Sequence, residues 1–128
     1  MKTLIVEDNP LLMSIVCAGI GVYETSILEA NDQLMAINLF CVSKPEVVIS
    51  DIQMRVGDTR DFLQLVSESE SSKVLIFSSD SDLLFEVEGK YRELGWYFVN
   101  KNDKFWLRQF GEVVKRIYAM PNYNNYSK

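Results

Sequence analysis

The chain has 128 residues, which is the usual size of one compact domain. Its formal net charge of −5 and its scattered lysines and arginines argue against a surface that binds nucleic acid directly. No stretch approaches the ~20 apolar residues of a membrane-spanning helix, and the opening residues lack the pattern of a signal peptide. We therefore expect a cytoplasmic domain that does not enter a membrane.

The chain has no histidine and two cysteines. The missing histidine excludes catalytic sites built on Ser–His or Cys–His pairs. Cys17 and Cys41 both fall within apolar helical patterns, so we expect two buried thiols, with a disulfide as the less favoured alternative. Two cysteines without a histidine are also a poor ligand set for zinc.

The first half of the chain predicts two strand–helix units. An apolar run over 3–6 is followed by Pro10, which suits the first turn of a helix that ends near Gly21. A short strand is expected over 23–29. A second helix follows it and ends where Pro45 breaks the chain.

The second half continues the same alternation. A continuous apolar run over 47–50 is typical of a strand that is covered on both faces. The remaining predicted elements are a helix around 62–66, a strand over 74–77, a helix over 83–91, a strand over 96–99 and a helix over 106–117. In the last helix, Trp106, Phe110, Val114 and Ile117 share one side and are expected to face the sheet.

Five strands that alternate with five helices predict a doubly wound α/β domain with a parallel sheet. The flavodoxin-like strand order 2-1-3-4-5 suits this pattern. We expect one domain over residues 1–119, followed by a polar tail or linker stub over 120–128.

Polar residues follow four of the predicted strands: Glu7 and Asp8, then Asp51, Ser78 and Lys101. Ligands of doubly wound sheets bind beyond the carboxyl ends of the strands, where the strand order reverses, so these residues are expected to line one pocket. Three crowded carboxylates repel each other unless a cation lies among them. An all-oxygen ligand set with few carboxylates suits Mg²⁺.

A carboxylate held beside Mg²⁺ can act as a nucleophile toward phosphorus, and Asp51 is the candidate. Lys101 would offer a positive charge and Ser78 a hydroxyl to the phosphoryl oxygens. Each residue also has a simpler interpretation, since Glu7-Asp8 suits a helix cap, Asp51 and Ser78 suit turns, and a lysine at a strand end is usually solvated. The combination at four strand ends favours the chemical interpretation.

Four segments resemble the receiver domain of response regulators in two-component signalling, and the resemblance covers roughly residues 1–119. These segments are 4–9 with its acidic pair, 47–54 with Asp51 and with Met54 three residues later, 74–79 with Ser78, and 98–101 with Lys101. The resemblance implies that Asp51 is phosphorylated. It also implies that Asp8, Asp51 and the backbone carbonyl of Gln53 ligate Mg²⁺, or Mn²⁺, with Glu7 acting through water.

The resemblance assigns further residues to signalling. Ser78 would contact the phosphoryl group and move with it, and Phe98 takes the place of the switch aromatic. Gln53 and Asp80 occupy the positions that tune the lifetime of the phosphoryl group. The fourth helix, fifth strand and fifth helix are then expected to form the face that meets an output partner or a second copy.

The chain departs from the family pattern at three positions. Arg55 and Asn102 replace prolines, and Thr59 replaces a glycine. The family's proline after the lysine follows a cis bond, which costs about 3 kcal/mol before any other residue. We therefore expect a trans Lys101–Asn102 bond and a different final loop.

The favoured function is a phosphorylation-dependent switch supplied by a histidine kinase or a phosphotransfer protein. No enzymatic activity is expected beyond Mg²⁺-dependent self-phosphorylation and self-dephosphorylation. The alternative is a degenerate receiver that acts as a phosphorylation-independent interaction module. A Mg²⁺-dependent phosphatase is less favoured, because such enzymes typically need a second acid where this chain has Gln53.

Overall fold

The computed structural model of the chain describes residues 1–119. Within these residues, five strands alternate with five α-helices. The strands are β1 (Lys2–Val6), β2 (Ser26–Ala30), β3 (Val47–Ser50), β4 (Lys73–Ser78) and β5 (Tyr97–Asn100). The helices are α1 (Pro10–Ile20), α2 (Gln33–Ser43), α3 (Arg60–Ser69), α4 (Ser81–Lys90) and α5 (Trp106–Tyr118). The predicted tail over 120–128 lies outside the described residues.

The sheet has the order β2-β1-β3-β4-β5, and every pair of neighbouring strands is parallel. The predicted doubly wound fold and strand order are therefore confirmed. Because β1 and β3 are neighbours while β2 lies on the far side of β1, the strand order reverses between them. This reversal opens a crevice at the carboxyl ends of β1 and β3.

Local signals in the sequence account for the start of the first two helices. The side chain of Asn9 accepts hydrogen bonds from the backbone N–H groups of Leu11 and Leu12, and Pro10 occupies the first turn. The side chain of Asp32 accepts from the N–H of Met35 in the same way. These caps satisfy backbone donors that a helix start leaves free.

Two expected boundaries were wrong. Strand β2 begins at Ser26, not at Tyr23, because Tyr23 and Thr25 donate backbone hydrogen bonds within the preceding turn. The fourth helix ends at Lys90 and is followed by a short 3₁₀ turn, Arg92–Leu94, that the apolar periodicity did not predict. Each difference shifts an element end without changing the order of elements.

The sheet is covered on both faces, as the apolar β3 predicted. One face packs against α1 and α5, through the strand residues Ile5, Ile49, Leu75, Phe77 and Val99. The other face packs against α2, α3 and α4, through Leu4, Val6, Val48, Val74 and Ile76. Successive strand residues alternate between the two layers because side chains in a strand point to opposite faces.

Helix α5 meets the sheet largely as its sequence predicts. Phe110, Val114 and Ile117 are buried, whereas Trp106 at the start of the helix is half-buried and Phe105 is exposed. Trp106 packs edge-on against the ring of Phe110. No helix within residues 1–119 combines the length and the apolar character that crossing a lipid bilayer requires.

The expectation of two buried thiols was wrong in part. Cys41 is exposed and Cys17 is half-buried, and both are free. Cys41 lies on the solvent side of α2, since the residues of this helix that are buried against the sheet are Ala36 and Phe40.

Candidate functional site

Two carboxylates and an ammonium group meet at the carboxyl edge of the sheet. Asp51 follows β3, and its backbone N–H donates to the carbonyl oxygen of Val6 at 3.0 Å, which ties the end of β3 to the end of β1. Lys101 follows β5 and places its Nζ 3.0 Å from Asp51 Oδ2 and 3.6 Å from Glu7 Oε1. The structure thus brings together three of the residues predicted to share a pocket.

Both oxygens of the Asp51 carboxylate have defined partners. Oδ2 accepts a hydrogen bond from Lys101 Nζ, and Oδ1 accepts one from the backbone N–H of Ile52 at 2.7 Å. The aspartate is 6% exposed. Its side chain is therefore oriented from two directions, as a positioned nucleophile requires.

Thr59 is hydrogen-bonded to the backbone of Asp51. The sequence indicated Thr59 only as a departure from the family pattern. Its buried hydroxyl donates to the backbone carbonyl oxygen of Asp51 at 2.7 Å. Its backbone N–H donates to the backbone carbonyl oxygen of Ile52 at 2.8 Å. A glycine would offer no hydroxyl here. No local pattern in the sequence signals this contact, because the two residues are eight positions apart.

Glu7 is the most deeply buried charged side chain of the site, at 2% exposure. Its Oε2 accepts from the backbone N–H of Asn9 at 3.0 Å. Its Oε1 is buried and accepts no hydrogen bond, although the ammonium of Lys101 lies 3.6 Å away. A buried carboxylate oxygen without a hydrogen bond is costly and calls for a cationic partner.

Burial raises the pKa of both carboxyl groups. The pKa of Glu7 rises to about 7, because burial and the neighbouring charge of Asp51 outweigh the hydrogen bond from Asn9 and the attraction of Lys101. Burial likewise raises the pKa of Asp51 despite the hydrogen bonds from Lys101 and Ile52. One ammonium is therefore insufficient to balance two buried carboxylates, and additional positive charge would stabilise their ionised forms.

Asp8 lies at the rim of the site and has a different partner. Its Oδ2 accepts the backbone N–H of Arg55 at 2.6 Å and lies 3.5 Å from Nε of the same residue. The Asp8 side chain is 14% exposed, whereas that of Arg55 is 81% exposed. Sequence reasoning noted Arg55 only as a replaced proline and did not predict this pair.

The residues proposed to hold a metal fit a hard cation in their chemistry. Glu7, Asp8, Asp51 and the carbonyl of Gln53 form an all-oxygen set, and the buried Oε1 of Glu7 is an oxygen that a cation or its water can satisfy. Within residues 1–119, however, no three acidic or thiol side chains are gathered as a ready metal centre. Gln53 itself lies in an isolated β-bridge with Asp58 at the edge of the site.

Ser78 and Asp80 join the end of β4 to helix α4. Ser78 is fully buried, and its hydroxyl accepts the backbone N–H of Asp80 at 3.1 Å. Asp80 in turn caps α4 by accepting from the N–H of Leu83 at 3.0 Å. The backbone carbonyl of Ser78 accepts a hydrogen bond from the N–H of Lys101 at 2.8 Å. This bond keeps the carboxyl ends of β4 and β5 side by side.

The loop after β5 is organised without a proline. The Lys101–Asn102 bond is trans. The side chain of Asn102 donates to the carbonyl of Ser79 at 2.5 Å, and that of Asn100 donates to the hydroxyl of Ser81 at 3.0 Å. These two amides hold the β5–α5 loop against the β4–α4 loop.

Phe98 lies on β5 and is half-buried, packed against the core layer that includes α4. On the elements that flank β5 in the chain, Phe85 of α4 and Leu107 of α5 are 75% and 52% exposed, and Phe105, directly before α5, is 51% exposed. Helices α4 and α5 therefore carry exposed apolar side chains, and β5 carries a partly exposed aromatic ring.

Comparison with known proteins bears on this arrangement. No protein-family model and no curated protein sequence matches the chain. The non-phosphorylated receiver domain of HemR from Leptospira biflexa matches with a TM-score of 0.77 at 19% identity, over 93% of this chain and 94% of that one. The response regulator TrrA from Thermotoga maritima, in complex with Mg²⁺-BeF, matches with a TM-score of 0.73 at 18% identity, over 91% and 97%.

A third match comes from the complex between the P1 domain of CheA3 and CheY6 from R. sphaeroides. Its TM-score is 0.67 at 18% identity, over 93% of this chain and 97% of that one. All three matches span nearly the whole of both chains, so the likeness extends over the complete sheet and its helices. The chain therefore has the fold of response-regulator receiver domains.

Proposed function

We propose that this chain is a phosphoacceptor receiver domain, and that Asp51 accepts the phosphoryl group. The observation that carries the proposal is the buried Asp51 carboxylate, held by Lys101 Nζ at 3.0 Å at the reversal of strand order. In the resembling family, this position of the fold holds the phosphorylated aspartate. Glu7 and Lys101 complete the charged group around it.

The transfer follows from the groups present. An oxygen of the Asp51 carboxylate attacks phosphorus, an O–P bond forms, and the N–P bond of a phosphohistidine donor breaks, leaving its electron pair on the imidazole nitrogen. The ammonium of Lys101 would stabilise negative charge on the transferred group. The hydroxyl of Ser78 is proposed to contact that group once the β4–α4 loop moves.

Magnesium is the proposed cofactor, with Mn²⁺ as a substitute. Asp8, Asp51 and the carbonyl of Gln53 would bind it directly and Glu7 through water. When bound, the cation supplies positive charge that offsets the carboxylates and the phosphoryl oxygens. The Mg²⁺-BeF complex of TrrA supports this assignment by likeness of fold.

The proposed donor is a histidine kinase or a phosphotransfer protein in the cytoplasm. The complex of CheA3 P1 with CheY6 supports this class of partner by likeness of fold. Output is proposed to pass through the surface of α4, β5 and α5, where Phe98 is the proposed switch aromatic. Gln53 and Asp80 are proposed to tune how long the phosphoryl group survives. No other enzymatic activity is proposed.

Two observations favour the degenerate receiver as the second candidate. Asp8 is paired with Arg55, and no three acidic side chains within residues 1–119 form a ready metal centre. A module of this kind would bind its partner without phosphorylation. The intact Asp51–Lys101 pair favours the phosphoacceptor.

Intact-mass measurement after incubation with acetyl phosphate and Mg²⁺ separates the two candidates. The wild type should gain one phosphoryl group that is lost in mild base, as an acyl phosphate is. Asp51→Asn should abolish the gain completely, whereas Asp58→Asn, a matched change on the exposed neighbouring loop, should leave it unaltered. An unlabelled wild type would favour the degenerate receiver, and a base-stable label on a serine would contradict the proposal.

A further inference from the structure

A second positive side chain contacts the acidic residues, at Asp8. The backbone N–H of Arg55 donates to Asp8 Oδ2 at 2.6 Å, and its guanidinium Nε lies 3.5 Å from the same oxygen as an ion pair. The contact joins residues that are 47 positions apart in the sequence. It engages the one carboxylate of the proposed metal set that does not contact Lys101.

A tight turn places Arg55 there. The backbone N–H of Met54 donates to the carbonyl of Gly57 at 3.1 Å, and Gly57 has a φ of +77°, which few other residues adopt. The turn directs the N–H of Arg55 at Asp8, while its side chain stays 81% exposed. The backbone contact is therefore built into the loop, whereas the guanidinium is free to leave.

We propose that Arg55 sets the cation affinity of the pocket, because its guanidinium lies beside an Asp8 oxygen that a divalent cation would use. The inference rests on the proposed metal site. A second observation concerns the buried Oε1 of Glu7, which accepts no hydrogen bond. It lies 3.6 Å from the Lys101 ammonium, which also pairs with Asp51, so added positive charge in the pocket would stabilise this oxygen. Arg55 then opposes the cation in two ways, by competing for Asp8 Oδ2 and by repelling a like charge.

The expected effect is moderate because the guanidinium is exposed. Repulsion between a single and a double positive charge a few ångströms apart in a water-like medium, reduced by salt, corresponds to about a two- to tenfold change in affinity. The buried Lys101 is a different case: its side chain is 9% exposed, and its contacts to Asp51 and Glu7 are enclosed. The pocket thus has one enclosed ammonium and one displaceable guanidinium.

The test measures Mn²⁺ binding by the enhancement of water proton relaxation, without any phosphodonor. Arg55→Ala should bind Mn²⁺ about two- to tenfold more tightly than the wild type, and the gain should shrink at high salt. Arg60→Ala is the matched control, because Arg60 is also an exposed arginine near the site but pairs with Asp58 and Glu86. Its affinity should equal that of the wild type.

Each other outcome has a distinct meaning. Equal Mn²⁺ affinities for wild type and Arg55→Ala would overturn the role of Arg55 and leave the metal site standing. Equal gains in Arg55→Ala and Arg60→Ala would also overturn it, since net charge alone would then explain the change. If neither variant nor the wild type binds Mn²⁺, the metal site of the proposed function fails, and the inference fails with it.

Discussion

The acidic site has a buried interior and an exposed rim, and the same chemical groups behave differently in the two. In the interior, Glu7, Asp51 and Lys101 are enclosed by strand ends, and burial raises the pKa of both carboxyl groups. At the rim, Asp8 pairs with an arginine that is 81% exposed. We therefore expect burial, more than the number of charges, to decide which contacts stabilise the site.

The physical reason lies in solvation. An exposed ion pair gains little, because water already stabilises both charges. A buried pair has lost that water, and removing one partner leaves an uncompensated charge in a poorly polarisable surrounding. Changes in the interior should therefore alter folding stability, whereas changes at the rim should alter ligand affinity.

The largest effect on stability is expected when Lys101 is replaced. Lys101→Ala leaves Glu7 and Asp51 buried without their ammonium, and it should lower the free energy of unfolding at pH 8 by about 2–4 kcal/mol. The loss should be smaller at pH 5, where the carboxyl groups can bind protons instead. Urea unfolding in metal-free buffer at both pH values measures this.

Lys104→Ala is the matched control for that experiment, because Lys104 is an exposed lysine of the same loop. It should change the free energy of unfolding by less than about 0.5 kcal/mol. If Lys101→Ala also lowers the free energy of unfolding at pH 8 by less than about 0.5 kcal/mol, the interior contacts stabilise the fold no more than the exposed ones do.

A smaller effect, opposite in sign, is expected for Glu7. Its folded-state pKa of about 7 lies above its ordinary value of 4.5, so the folded protein holds a proton that the unfolded chain releases. The stability from this group is therefore full below pH 4.5, falls as the pH rises toward 7, and is absent above it. Glu7→Gln should remove this slope and raise the free energy of unfolding at pH 8 by about 1–3 kcal/mol.

Urea unfolding of Glu7→Gln between pH 4.5 and 8 measures that slope, again without metal. A slope of the same sign should remain from Asp51, because burial raises the pKa of that carboxyl group as well. Glu88→Gln, an exposed change on α4, should follow the wild type throughout. A Glu7→Gln variant that is less stable than the wild type at pH 8 would show that the ionised Glu7 stabilises the fold.

The smallest effect on stability is expected at the rim. Asp8→Asn keeps an oxygen that can accept the N–H of Arg55 and loses only the ion pair with an exposed guanidinium. The free energy of unfolding should therefore change by less than about 1 kcal/mol. The same variant should bind Mn²⁺ about tenfold more weakly, since the carboxylate that we propose as a metal ligand is lost. A loss of free energy of unfolding above about 2 kcal/mol would mean that Asp8 contributes to stability as a buried charged residue does.

Much of the fold was predictable because its signals are local. Apolar runs and helical spacing located ten elements in the right order, and Asn9, Pro10 and Asp32 start helices as their chemistry suggests. The errors concern two element boundaries, where local turns form, and the burial of the cysteines. Cys41 is exposed, because the apolar pattern of a helix does not specify how far each residue reaches into the core.

The site residues were likewise predictable where the signal is local and unpredictable where it depends on distant contacts. Glu7, Asp51 and Lys101 could be placed together from the sequence alone, because the carboxyl ends of parallel strands converge once the strand order is known. The roles of Ser78, Phe98, Gln53 and Asp80 came from the resemblance to receiver domains and stay predictions. The contacts of Thr59 and Arg55 had no signal in the sequence.

The sequence by itself determined the alternation of strands and helices and the residues at each strand end, since both depend on near neighbours in the chain. Only the tertiary structure decided that Glu7 keeps a buried oxygen without a hydrogen bond and that Asp8 faces Arg55. Burial and ion pairing depend on groups that are tens of residues apart. Their distances are set by packing and by one turn at Gly57, which local periodicity does not encode.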